Sequence, residues 1–159
     1  MRTLVLYYSR EGNTRFVAES IAHTVGAELQ ALEPIKEIKL DGFKYLRGGR
    51  QVVYGKRPEL EPLLLEPDQY DLVFVGTPVW AFTYAPALRT FFGDHVQGGH
   101  VACFCTHEGG PGKCLARMAK AMPAAQVLGA IEVCHPVRSD DNVSLITAWA
   151  KEMIAAANE

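Results

Sequence analysis

Leu4-Val5-Leu6-Tyr7-Tyr8 runs straight into Ser9-Arg10-Glu11-Gly12-Asn13-Thr14, and this junction decides the fold. The first five residues are an unbroken apolar run and the next six are polar, small and turn-prone, which reads as buried strand, tight loop and helix. Val17, Ile21 and Val25, four apart, carry the helix, with Ala18 and Ala22 completing one apolar stripe. A strand feeding a helix through so short a loop gathers free backbone N–H groups and the positive end of the helix dipole at one point. An anion can sit there. The same residues also suit a plain helix N-cap at Asn13 or Ser9 without a ligand. The loop is neither the G-x-G-x-x-G fingerprint nor a P-loop.

Outward from this unit the pattern repeats. Residues 28–35 form a weak strand with Leu29, Ala31 and Ile35, disturbed by Pro34, and fit the edge of a sheet. Residues 72–75, 101–105 and 127–133 are short runs apolar at nearly every position, the pattern of strands buried on both faces. Helical spacing alternates with them over 85–92, 113–122 and 142–157, the last with Asp140 or Asp141 placed to cap it. Five β-α units without repeat or linker predict one domain, 1–159, with a doubly wound, five-stranded parallel sheet in the order 2-1-3-4-5. In such a sheet the ligand lies beyond the carboxyl ends of the strands, where the winding reverses, so the loops after strands one, three and four should form the site.

Between the second and third strands, 36–69 is a long connection with Leu40, Phe43 and Leu46 at helical spacing, a break at Gly48-Gly49, and Pro58, Pro62 and Pro67. Lys44, Arg47, Arg50, Lys56 and Arg57 lie in it with no acidic residue between Asp41 and Glu59. They make either a solvated helix face or a docking surface for a phosphate-bearing partner such as a nicotinamide nucleotide, or for an acidic protein.

Composition narrows the function. Of 159 residues, 48% are hydrophobic and 21% charged, enough to bury a core. Sixteen basic against eighteen acidic residues give a net charge of −2, too balanced for nucleic acid or an anionic membrane to be the main partner. No run approaches the ~20 apolar residues of a membrane helix, and Arg2 leads into a strand without a cleavage region, so a cytoplasmic protein is expected. The four cysteines, Cys103, Cys105, Cys114 and Cys134, lack zinc or disulfide spacing and read as buried free thiols. Cys114, in the first turn of a helix, is the one whose pKa could be lowered.

Two more loops carry unusual chemistry. Gly76-Thr77-Pro78-Val79-Trp80-Ala81-Phe82-Thr83-Tyr84 places three aromatics in a loop, where they need cover. A flat heterocycle stacked on Trp80 or Tyr84 would supply it; a satellite cluster packing the loop on its own helix is the alternative. Thr106-His107-Glu108-Gly109-Gly110-Pro111-Gly112 has glycines that let backbone approach a ligand closely.

Taken together, these loops resemble the flavodoxin family over nearly the whole chain, of the short-chain type. The resemblance implies a flavodoxin-like three-layer fold and non-covalent FMN. It implies that Ser9, Arg10, Glu11, Gly12, Asn13 and Thr14 bind the phosphate, that Thr77, Pro78, Val79, Trp80, Ala81 and Tyr84 flank the ring, and that Thr106, His107, Glu108, Gly109 and Gly110 meet its edge. Glu11 departs from the family's usual hydroxyl and should point outward, since a carboxylate repels phosphate. His107 is the candidate catalytic group, as a titrating side chain near the ring, although a loop histidine is often exposed and idle.

Three functions follow as expectations. One is a reductase carrying electrons from NAD(P)H to a quinone, free flavin or similar small acceptor. Another is a single-electron carrier serving a redox partner protein, and the third is a flavin-free binding or signalling module on the same fold. A homodimer is compatible with any of them. The near-neutral charge argues against a carrier, since carrier flavodoxins are strongly acidic. So does the lack of glycine from Thr77 to Phe92, because carriers stabilise half-reduced flavin partly by flipping a peptide at a glycine beside the ring. A flip at a residue with a Cβ would force positive φ, on the order of 1 kcal/mol or more. A receiver-like module would need an aspartate at the end of the third strand, where Gly76 and Thr77 stand.

Overall fold

A computed structural model describes residues 1–37, 55–95, 98–136 and 141–159. Its elements run β1 (Thr3–Tyr7), α1 (Asn13–Val25), β2 (Glu28–Ala31), a 3-10 turn (Pro67–Gln69), β3 (Leu72–Trp80), β4 (Thr83–Tyr84), α2 (Pro86–Asp94), β5 (Gly99–His107), α3 (Cys114–Ala121), β6 (Ala125–Cys134) and α4 (Asp141–Ala156). The long strands are parallel in the order β2-β1-β3-β5-β6, and the two-residue β4 pairs antiparallel with β3. With β4 set aside this is the expected 2-1-3-4-5 winding.

Alternation along each strand sends neighbours into opposite layers. Leu4, Leu6, Val73, Val75, Val101, Cys103 and Cys105 pack with Leu88 and Phe91 of α2 and Met118 of α3. Val5, Tyr7, Phe74, Ala102 and Phe104 face Val17 and Ile21 of α1 and Ile146, Trp149 and Met153 of α4. Each Val, Leu, Ile, Phe or Met side chain among them, taken fully out of water, contributes about 1.5–3 kcal/mol. β1, β3 and β5 are thereby fixed as a rigid floor, and the three loops singled out in the sequence lie at their carboxyl ends.

Three expectations need correction. The third strand does not stop at Val75: Thr77 and Pro78 pair with Cys105 and Thr106 of β5, and Val79 and Trp80 turn back on β4. Pro78 is tolerated because its missing N–H faces the side where β1 has already ended at Gly76. β6 is not buried on both faces; it is the sheet's edge, mostly exposed or half-exposed, with a bulge opposite Val101 and Ala102. Of the four thiols, Cys134 is exposed. The last helix starts at Asp141 itself, so Asp141 belongs to its first turn; Asp140 lies outside the described residues. So do Leu40, Phe43, Leu46, the Gly48-Gly49 break, Lys44, Arg47 and Arg50. Arg57 pairs with Asp94 at 3.2 Å on the surface.

Candidate cofactor-binding site

The first loop ends on Gly12, at φ 97, which is the residue capping α1, with no side-chain cap. The helix therefore starts at Asn13, and neither Asn13 nor Ser9 is its N-cap; Ser9 Oγ instead accepts the Gly12 N–H at 3.2 Å. The first intrahelical bond is Phe16 N–H to Gly12 O, 3.0 Å. The N–H groups of Asn13, Thr14 and Arg15 thus lie in the first turn without an acceptor inside the helix, at its positive end. Space beside Gly12 is open to 4 Å, so a ligand can approach the backbone. Arg10 and Glu11 are exposed, as expected for Glu11, and Ser9 and Asn13 are half-buried.

The threonines are where the structure departs furthest from the expected roles. Thr14 is buried and its hydroxyl meets that of Thr106 at 2.8 Å, so this side chain ties the first loop to β5. The Thr77 hydroxyl is also interior: it donates to Pro78 O at 2.9 Å and accepts the Ala85 N–H at 3.0 Å. Both serve as struts between the loops and the strands beside them.

The aromatic stretch is a hairpin. Ala81 and Phe82 form its two-residue turn between Trp80 and Thr83, both at positive φ, 48 and 63. The glycine argument is corrected by this: positive φ occurs here in residues that carry a Cβ. Trp80 is only 9% exposed and stands edge-on to Tyr8, centroids 5.5 Å apart. Tyr84 is edge-on to Phe92 of α2 at 5.2 Å, as the alternative reading of packing on its own helix required. Phe82, absent from the sequence-derived site, is the aromatic of this hairpin left exposed, at 60%. Its carbonyl accepts the Lys113 N–H at 3.2 Å, and a Cβ on Gly112 would fall 2.6 Å from its own. Trp80, Phe82 and Tyr84 share one parity, so alternation could not tell which of them faces out.

In the third loop Thr106 and His107 close β5, and Gly110 turns at φ 115. The space beside Gly109 and Gly110 is open. His107 is not an exposed loop residue: its side chain is 8% exposed, and its Nδ1 accepts the Gly110 N–H at 2.9 Å. Glu108 reaches His135 Nδ1 at 3.5 Å. Deeper in, the hydrogen bond with Cys105 and burial push the Cys114 thiol well above its ordinary range, against the lowered value a helix N-terminus could give. Burial likewise raises Cys103 to about 12. Tyr8 is raised by burial and by its hydrogen bond to Glu37.

Three loops are thus held against one another at one end of the sheet, first to third by Thr14–Thr106, first to second by Tyr8–Trp80, and second to third by Phe82–Lys113. An open depression of about 560 Å³ bounded by Met1, Tyr70, His100 and Asn158 lies at the opposite end of the sheet. A family model described as Flavodoxin matches residues 2–151. The chain belongs to the flavodoxin family.

Solved structures agree with that membership. A flavoprotein from Lactobacillus acidophilus NCFM, solved in complex with FMN, is 26% identical, covers 90% of this chain and 98% of its own, and superposes with a TM-score of 0.71. A candidate flavoprotein from Bacteroides eggerthii DSM 20697 shares the fold at 24% identity, covering 96% and 98%, with a TM-score of 0.79. Two-electron reduced Megasphaera elsdenii flavodoxin shares it at 18% identity, covering 99% of each chain, with a TM-score of 0.63. No curated protein sequence matches the chain significantly. Within this flavodoxin-family fold, the open glycines and the unpartnered first-turn N–H groups fit a phosphate-bearing flat ligand. No helix among the described residues is long and apolar enough to cross a membrane.

Proposed function

We propose that the chain, acting as one domain over residues 1–159, binds FMN without a covalent bond and passes electrons through it. The convergence of the three loops carries the reading. Residues 92 apart in sequence share a 2.8 Å hydroxyl contact, so the phosphate loop and the ring loop are built as one unit. The N–H groups at the start of α1 would receive the phosphate, the Ala81-Phe82 turn would border the ring, and the backbone of 108–110 would meet its edge. FMN supplies the redox chemistry, while the protein sets orientation and access. An absorption spectrum of the isolated protein, followed by titration with FMN, tests this. Yellow protein, or saturable FMN uptake, is the expected result, and colourless protein that takes up no FMN would reject it.

Within that reading the near-neutral charge favours a reductase moving electrons from NAD(P)H to a quinone or free flavin. A single-electron carrier serving a protein partner is the second reading. It is favoured by the Ala81-Phe82 turn, where the positive φ that a carrier's peptide flip demands is already in place. Anaerobic reduction separates them: direct bleaching by NADPH supports the reductase, and a persistent blue half-reduced form supports the carrier.

A further inference from the structure

His107 is a buried imidazole whose two nitrogens are in opposite situations. Nδ1 accepts the Gly110 N–H at 2.9 Å, which only a ring without a proton on Nδ1 can do. Nε2 is buried with no hydrogen-bond partner, 3.8 Å from Glu132 Oε2. The contact to Gly110 spans the turn of the third loop, where Gly110 is held at φ 115. We propose that His107 is a positioning residue: its neutral imidazole pins Gly110 and keeps the 107–112 loop shaped for the flavin's edge, and its protonation releases that loop.

The direction of the effect follows from the ring's own hydrogen bond to Gly110. A second proton must go on Nδ1, which converts the acceptor of the Gly110 N–H into a donor facing a donor. Several groups border this ring. Glu132 from β6 places its carboxylate 3.8 Å from Nε2, and Cys134 stands opposite His107 in register. Cys105 precedes it on the same face of β5. His135 donates its N–H to His107 O at 3.0 Å and pairs with Glu108. A ring protonated on both nitrogens therefore loses the hydrogen bond that holds the loop. Because flavin would bind the closed loop, acid should weaken flavin binding, by at most about tenfold per pH unit for one proton.

This rests on the flavin reading above, and the test keeps the two apart. Kd values for FMN and for riboflavin are measured between about pH 8 and about pH 5, where imidazoles ordinarily gain their proton. Riboflavin removes the contribution of the phosphate, which titrates in the same range. For the wild type both ligands should bind more weakly as pH falls. His107→Leu should be weaker at pH 8 by about three- to tenfold, the worth of one hydrogen bond, with riboflavin affinity flat across the range. His107→Asn, which keeps an acceptor near the Nδ1 position and cannot titrate, should recover that affinity and stay flat. Riboflavin profiles for the wild type and both variants that run parallel would overturn the proposal while leaving flavin binding intact; failure of the wild type to bind either ligand at any pH would reject the flavin reading. Amide exchange at Gly110 in the wild-type protein gives a readout free of variants. Protection lost in step with the His107 titration supports the latch, and protection unchanged by acid contradicts it.

Discussion

Gly76 has no room for a methyl group, since a Cβ there would lie 2.0 Å from the Phe104 ring. Gly76→Ala must push Phe104 out of the layer it shares with α1 and α4, and should destabilise the protein by about 1–3 kcal/mol in chemical denaturation. The thiols give a second residue-level expectation. Cys103, Cys105 and Cys114 are buried and Cys134 is exposed, so a thiol reagent should label one cysteine in the native protein and all four after unfolding. Burial raises Cys103 from 9.0 to about 12, which holds it protonated in the folded state. Its contribution to stability is therefore complete below about pH 9 and lost as pH rises toward about 12. The urea midpoint should fall over that interval, less steeply in Cys103→Val. At this scale the sequence was partly legible. Glu11 could be turned outward from charge alone, but nothing in the pattern said that Thr14, Thr77 and Thr106 would bond one another or nearby backbone, because a hydroxyl's partner depends on what the fold brings near.

Among the described elements, the β3–β4 hairpin holds backbone strain in two adjacent residues. Ala81 and Phe82 both sit in the left-handed region, which costs roughly 1–2 kcal/mol for each residue with a Cβ. Ala81→Gly relieves one of them and should raise stability by about 0.5–1 kcal/mol net of glycine's added chain entropy, read as a higher thermal midpoint. The Thr14–Thr106 contact should behave as a coupled pair. Either threonine changed to valine strands the other's buried hydroxyl, at about 1–3 kcal/mol, and the double variant should cost less than the two singles added. Strands and helices were legible from apolar runs and four-residue spacing, whereas the far half of β3 was not. Gly76, Thr77 and Pro78 carry turn chemistry, and only pairing with β5 and with β4 makes them strand. Nor did local pattern distinguish β6 from a central strand, because Val127, Leu128 and Ile131 are as apolar as an interior run; its edge position follows from the order of the sheet.

For the molecule as a whole, parallel winding was readable, since five apolar runs alternating with helices leave few other arrangements. That the three loops meet was readable because each breaks an apolar run with glycine, hydroxyl or aromatic residues. Which aromatic stays exposed was not readable, because Trp80 and Tyr84 find Tyr8 and Phe92, partners distant in sequence or across a helix. A ligand bound only by the folded form stabilises it by mass action, about 2.7 kcal/mol at a hundredfold excess over Kd. Saturating FMN should accordingly raise the melting temperature, and riboflavin should raise it less because it has no group for the start of α1. The most direct test is a crystal structure of the protein grown with FMN. Phosphate oxygens within hydrogen-bonding distance of the Asn13, Thr14 and Arg15 N–H groups, with the ring between the Ala81-Phe82 turn and the 108–110 backbone, are the result this account predicts; a loop filled only by solvent, or FMN bound elsewhere, would contradict it.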